Sequence, residues 1–259
     1  SRLSILTKRI SNGRGDCCYC GNCGRSCGVY ADFSASSCLV FPSQRNAQGR
    51  LDLYVNSMVR EVSVDKSGKP NGIVYVNKDD KKEYKINAKV VVLAASACES
   101  ARILLNSKSP YHENGLGNSS NMVGKYLHDS TGTNNLAFIP DLMNRKTYNE
   151  DGMGNMHLYS PWWLDNKNLD FPRGYHIEIY GGLGAPSYGT GFNFNSLNSF
   201  FGIEVGGYGD RVRDEVKKYY GSTIGFNTRG ESVPNINNYC EIDPEKKDKY
   251  GIPVLRFNY

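Results

Sequence analysis

The sequence predicts an α+β chain, and three observations carry that prediction. Short alternating apolar runs separated by polar turns fill the region from Leu51 to Ile86. An unbroken apolar run leads into a helical pattern between Ala88 and Ser107, and a second strand-bearing region spans about Thr131 to Gly230. With 259 residues, the chain is long enough to bury a core as one large domain or two smaller ones.

The first region reads as an antiparallel meander. Leu51 to Val55, Met58 to Val64, Gly72 to Val76 and Glu83 to Ile86 each alternate, and Lys69-Pro70-Asn71-Gly72 is a turn signal between two of them. Ala88 to Ala95 is an uninterrupted apolar run of strand length, which predicts a strand buried on both faces, as in a parallel sheet. The helix that follows has Ser96 placed to cap it, Glu99 three residues on as in a capping box, and an apolar face of Ala101, Ile103, Leu104 and Leu105.

Beyond Ser107 the chain turns to Asn-, Gly- and Ser-rich loops, with Val123 to Asp129 as an ordered island. Gly174 to Tyr180 reads as a strand in the second region. Asp210 to Tyr220 reads as a surface helix, because Val212, Val216 and Tyr219 fall at helical spacing. Tyr239 to Tyr259 predicts a strand, a turn at Asp243-Pro244 and a second strand.

Charge and hydropathy exclude two classes of partner. The net charge of +5 is spread through mixed segments such as Asp79-Asp80-Lys81-Lys82-Glu83, so no basic stripe for nucleic acid forms. The longest apolar run, Val90 to Ala95, is far below the span a bilayer requires. A mean hydropathy of -0.52 fits a globular chain rich in Gly, Asn and Tyr.

Five of the eight cysteines crowd between Cys17 and Cys27. Cys17, Cys20, Cys23 and Cys27 are spaced x2, x2 and x3, and Cys18 adds a second series through Cys23 and Cys27. Such spacing lets thiolates from one loop converge on a compact iron–sulfur cluster. Structural zinc is the rival, but it usually takes two Cys-x2-Cys knuckles separated by a finger, and no second knuckle follows. A disulfide knot is the third reading. One of the five is spare in the cluster reading, and Cys38, Cys98 and Cys240 read as small core residues.

The segment Asp16 to Gly28 resembles the cysteine-rich loop of a bacterial branch of the glucose-methanol-choline oxidoreductases, the branch of the gluconate 2-dehydrogenase, FAD-dependent glucose dehydrogenase and glucoside 3-dehydrogenase flavoprotein subunits. Three further segments resemble that family in the same order. Val90 to Ser107 is similar to its second signature, Val123 to Asp129 to its Val-Gly-Arg-Asn-Leu stretch, and Asp248 to Val254 to the opening of its C-terminal region. Ala95 stands where Gly is usual and Ser100 where Pro is usual, and both are small enough for close approach to a ring.

The resemblance implies part of a two-domain FAD-binding flavoprotein: a parallel-sheet piece of the FAD domain with its meander, and an antiparallel-sheet substrate domain. It divides the chain at 1–130, 131–238 and 239–259. It implies that Val59 contacts the adenine through its backbone and that Ala94, Ala95 and Ser96 lie beside the cofactor at a strand's carboxyl end. It implies that Cys17, Cys18, Cys20, Cys23 and Cys27 serve a 3Fe–4S or 4Fe–4S cluster. The activity implied is oxidation of a sugar or alcohol hydroxyl, with electrons leaving through the cluster to a cytochrome or quinone. A small accessory subunit and a periplasmic location belong to the same implication.

The family's Gly-rich dinucleotide fingerprint and its catalytic His have no counterpart in the sequence, so the resemblance implies an internal segment without a catalytic residue of its own. His128 beside Asp129 reads as structural, and His157 and His176 as isolated. Trp162-Trp163 and the many Tyr and Asn side chains suit a polyol site, although aromatic pairs in strands are more often core. Two other classes compete: a secreted carbohydrate-binding module with a disulfide-bonded loop, and a flavin-free iron–sulfur electron-transfer protein.

Overall fold

The computed structural model describes residues 6, 8, 13–20, 27–145, 157–160, 168, 170–171, 173–181, 198–199, 201–204 and 208–259. The chain forms two compact units, Ser1–Asp52 with Ser130–Glu231, and Leu53–Asp129 with Ser232–Tyr259. Every strand pairing among the described residues is antiparallel. The α+β class holds.

In the unit built on Leu53–Asp129, the meander is β1 (Ser57–Val64), β2 (Pro70–Asn77) and β3 (Glu83–Asn87), in that spatial order. Its turns are made by side chains rather than by Gly alone. Asp65 Oδ1 accepts the N–H groups of Ser67 and Lys69 as well as the Ser67 hydroxyl, and these bonds hold its carboxyl below the ordinary range. In the second turn Asn77 Oδ1 accepts from the N–H groups of Asp79 and Asp80. A register shift between Val59 and Glu61 marks a bulge in β1.

Helix α2 (Ser96–Asn106) packs on this sheet, after a short α1 (Phe41–Asn46) in the other unit. Arg102, Ile103 and Leu105 are its buried residues. One hydroxyl joins helix to strand: Ser107 Oγ donates to Ile103 O at 2.6 Å and accepts the Val62 N–H at 2.8 Å. This satisfies an outward N–H of β1, the sheet's edge strand.

The C-terminal hairpin closes the unit. β9 (Tyr239–Lys247) and β10 (Pro253–Asn258) pair around a turn at Asp248 to Gly251, where Gly251 has φ +79. Buried Arg102 reaches it from α2, donating to Asp248 Oδ2 at 2.7 Å, Pro253 O at 2.8 Å and Ile252 O at 3.1 Å. Beside it, Gly124 at φ +86 lies so close to Cys240 that an added Cβ would sit 2.2 Å from the Cys240 carbonyl oxygen.

In the other unit, β4 (Ser130–Thr131), β5 (Asn134–Phe138), β6 (His157–Ser160), β7 (Tyr175–Gly181) and β8 (Thr223–Glu231) form a five-stranded sheet. Its order is β4-β8-β7-β6, with β5 also on β8. Helix α3 (Asp210–Tyr219) ends in the buried Tyr219, packed by Phe138, Met143, Phe201, Ile203 and Tyr220.

Four sequence expectations need correction. Ala88 to Ala95 is not a buried parallel strand: no described residue pairs with it in a sheet, and Val90 and Val92 are 77% and 82% exposed. Burial on both faces needs flanking strands, and the apolar run alone does not supply them. Leu51 to Val55 likewise forms no strand and is exposed throughout. Ser96 does not cap α2, because the helix begins at Ser96 itself and the N-cap is Ala95, whose side chain has no acceptor, while Glu99 pairs with Arg102. Asp243-Pro244 lies within β9, where Asp243 Oδ1 accepts from the N–H groups of Glu245 and Lys246 and makes a local bulge, so the chain reverses five residues later.

Burial opposes ionisation of Asp248, but Arg102 and the N–H groups of Tyr250 and Ile252 outweigh it, and the carboxyl stays below its ordinary range. A depressed folded pKa stabilises fully above the unfolded value of about 3.9, and the contribution is lost as pH falls through the folded value. Arg102→Met should therefore lower unfolding stability by about 2–4 kcal/mol at pH 7. In urea titrations the gap between wild type and variant should shrink from about pH 5 to about pH 2.

Candidate functional site

The segments singled out for cofactor contact lie in the unit built on Leu53–Asp129. Val59 sits in edge strand β1, opposite Tyr75 of β2, which in turn faces Tyr84 of β3. The Tyr75 and Tyr84 rings stack at 5.6 Å, so one sheet face carries an apolar and aromatic row beginning at Val59.

Ala94, Ala95 and Ser96 form the turn into α2 and are all exposed. Ser96 has φ +65, a left-handed conformation that costs a non-Gly residue energy. The turn leaves the first N–H groups of an 11-residue helix without a capping side chain, beside three small residues. Open N–H groups at a helix start favour negative oxygens, and small side chains admit a large flat ligand. The residues present thus fit an FAD group through their backbone donors and their low bulk.

The cysteine loop lies in the other unit. Arg14 donates to the carbonyls of Tyr30, Ala31 and Asp32, and Gly15 N–H donates to Val29 O, so the loop's two arms are held together. Two sulfurs accept backbone donors: Cys17 Sγ from Tyr19 N–H at 3.4 Å and Cys27 Sγ from Ala31 N–H at 3.2 Å. The Cys20 thiol, hydrogen-bonded to Cys18, pushes the Cys18 pKa up, and Cys18, Cys20 and Cys27 are outside any disulfide.

Cys23 lies outside the described residues. Among the described residues no three His, Cys, Asp or Glu side chains converge enough to hold a metal. The donor chemistry suits thiolate ligation, while the described sulfurs do not by themselves assemble a cage.

The histidines divide. His128 Nδ1 lies 2.9 Å from Tyr126 O and His112 Nε2 lies 2.9 Å from Gly68 O, both in loop-bracing positions. His176 is not isolated: its Nε2 is 3.2 Å from Glu178 Oε1, and its ring is 5.6 Å from that of Tyr159. Arg229 Nε stands 4.0 Å from Glu178 Oε2. The alternation His176-Ile177-Glu178-Ile179-Tyr180 was the available signal, since period two puts His, Glu and Tyr on one face. Arg229 and Tyr159 join only through strand pairing. The side chain of His157, and Trp162 and Trp163, lie outside the described residues.

Residues 3–131 match the family described as GMC oxidoreductase. The chain is 29% identical over 209 residues to 2-methyl-1,2-propanediol dehydrogenase of Mycolicibacterium austroafricanum, covering 80% of this chain and 36% of that protein. It is 22% identical over 254 residues to the fructose dehydrogenase large subunit of Gluconobacter japonicus, covering 97% of this chain and 42% of that protein. A shorter stretch of 63 residues is 35% identical to 6'''-hydroxyparomomycin C oxidase of Streptomyces lividus, 24% of this chain and 12% of that protein. The chain belongs to the GMC oxidoreductase family.

The left-handed turn before α2 gives a direct test. Ser96→Gly relieves the conformation and should leave stability equal or raise it by up to about 1 kcal/mol, whereas the β-branched Ser96→Val should lose about 1–2 kcal/mol. Urea midpoints measure both, and equal midpoints would mean that the turn carries no strain.

Proposed function

We propose that this chain forms part of an FAD-dependent dehydrogenase that oxidises a sugar or alcohol hydroxyl to a carbonyl. The observation that carries the reading is the family match over 3–131, which includes the exposed turn into α2 with its open N–H groups. The dehydrogenase names of two relatives support oxidation of a carbinol carbon. The chain spans 36% and 42% of the length of those relatives.

In this reading FAD supplies hydride acceptance when bound. Val59 presents backbone groups of an edge strand to the adenine end, and Ala94, Ala95 and Ser96 let the turn before α2 approach the cofactor closely. The uncapped N–H groups of α2 stabilise negative charge there. The part played by Val59, Ala94, Ala95 and Ser96 in this reading is to bind and orient.

Cys17, Cys18, Cys20, Cys23 and Cys27 are proposed to supply thiolates to an iron–sulfur cluster, with one of the five spare, and such a cluster supplies one-electron transfer. The N–H donors of Tyr19 and Ala31 on Cys17 and Cys27 support it, since donors on sulfur stabilise thiolate charge. A cytochrome or quinone acceptor, a small accessory subunit and a periplasmic location complete the proposal, the subunit supported by a relative being named a large subunit.

Anaerobic purification of the whole flavoprotein of which this chain is proposed to form part, followed by absorbance, iron and acid-labile sulfide assays, tests both cofactors at once. The expected result is a flavin spectrum with stoichiometric iron and sulfide, and bleaching of the flavin by a sugar or diol. Cys20→Ser with Cys27→Ser should remove iron and slow reduction of an external acceptor at least tenfold while the flavin still bleaches. A colourless protein, or one that no carbinol bleaches, ends the dehydrogenase reading; flavin without iron ends the relay alone.

A further inference from the structure

Two thiols outside the cysteine loop belong to one unit. Cys98 stands in the first turn of α2 and Cys240 in β9, both within the unit built on Leu53–Asp129, and neither is in a disulfide. Helix α2 packs on β9 and β10 as well as on β1. Cys98 lies four residues before Arg102 and therefore on the same face of the helix. That face is turned to the hairpin, since Arg102 donates to Ile252 O and Pro253 O, and Asn106 Nδ2 donates to Pro253 O at 3.3 Å.

Cys240 is 3% exposed. Its neighbour in β9, Glu241, pairs with Arg256 of β10 at 2.7 Å on the solvent face of the hairpin, so strand alternation sends the Cys240 side chain to the inner face with Ile242. The Cys240 N–H donates to Gly124 O at 2.8 Å, and a Cβ at Gly124 would lie 3.3 Å from Cys240 Sγ. Burial pushes the Cys240 thiol above its ordinary pKa, and the charge of an ionised Cys98 pushes it further. A charge acts on a neighbour in this way only at short range, so the two sulfurs face each other across the packing of helix on strand.

The rest of α2 is tied down already. Arg102 holds its middle to the hairpin and Ser107 holds its end to β1, whereas the first turn has no capping side chain. We propose that Cys98 and Cys240 form a dithiol that closes to a disulfide on oxidation by a peroxide and so staples the first turn of α2 to β9. The proposal goes beyond the dehydrogenase reading and needs neither flavin nor cluster.

Cys98 is the point of entry, because it is half-buried while Cys240 is buried and stays protonated at neutral pH. The Cys98 thiolate attacks one oxygen of hydrogen peroxide, the O–O bond breaks, and the hydroxide released is protonated to water, which leaves a sulfenic acid. The Cys240 sulfur then displaces the sulfenic hydroxyl; the S–S bond forms and the hydroxyl departs with the Cys240 proton as a second water. Two thiols have lost two electrons and two protons, and the peroxide has taken up both. A phosphine or thiol reductant reverses the change. Helix starts open readily because their first N–H groups lack helical partners, and the closed staple suppresses that opening.

Peptide mapping of the whole protein that carries this chain tests it. The protein is reduced, freed of reductant, treated with hydrogen peroxide, and alkylated while still folded before tryptic digestion and mass spectrometry. Peptides 90–102 and 230–246 each contain one cysteine, and they should appear joined after peroxide and separate again after reduction. Amide hydrogen exchange in the first turn of α2 should slow at least tenfold in the oxidised protein. Cys240→Ser should leave Cys98 as a sulfenic acid that dimedone captures, Cys98→Ser should leave Cys240 unreacted, and Cys38→Ser should form the joined peptide like wild type. Circular dichroism checks the folding of the variants; if Cys240→Ser does not fold, Cys240→Ala takes its place, and the wild-type map requires no variant. The proposal is overturned if the folded protein yields no joined peptide, if Cys98 or Cys240 joins a different cysteine, or if the joined peptide forms without slowing exchange in the first turn.

Discussion

The unit built on Leu53–Asp129 depends on one buried cation. Arg102 projects from α2 into the turn between β9 and β10, where it meets a carboxylate and two carbonyls, with Glu99 beneath it on the helix. Its side chain is 10% exposed and that of Asp248 20% exposed, so the pair sits where removal of either partner leaves a poorly solvated charge. Four separate acceptors fix the fork in position, which a Lys ammonium could not reproduce. Segments more than 140 residues apart in sequence are thereby held as one body.

From that clasp the placement of the turn into α2 follows. The C-terminal end of α2 is fixed by Ser107, which bonds Ile103 and Val62, and its middle by Arg102. What remains open is its first turn, with Ser96 in a left-handed conformation and no capping side chain. Rigid support at one end of a helix and exposed donors at the other is the arrangement that lets a helix start serve a ligand without moving.

The five-stranded sheet uses a different device. A carboxylate mostly removed from water is tolerated there because His176 touches it and Arg229 stands nearby, while the isoleucines on either side in sequence point away. Gly225 is required for a steric reason, since the Tyr180 ring occupies the space of its missing side chain. Among the described residues the polar face is built by strand alternation plus one glycine.

Period-two alternation was enough to define β1, β2, β3 and β7, and the apolar spacing of Val212, Val216 and Tyr219 was enough for α3, because in each the pattern and the local backbone agree. Alternation misled at Leu51 to Val55 and the unbroken apolar run at Ala88 to Ala95, where apolar residues of strand type stay exposed or half-buried: a strand exists only when a neighbour takes its hydrogen bonds, and sequence does not name the neighbour. The cysteine spacing pointed to thiolate ligation, but whether sulfurs converge is decided by the folded loop, and among the described residues no three ligating side chains do. Arg102 carried no signal in the sequence, because its partners lie about 150 residues away in the chain, and His176 read as isolated although strand alternation places Glu178 beside it. The sequence by itself determined which segments could form strands and helices and which side chains could carry chemistry. Only the tertiary structure decided which of them meet, since antiparallel register and helix docking join residues whose separation along the chain leaves no local trace.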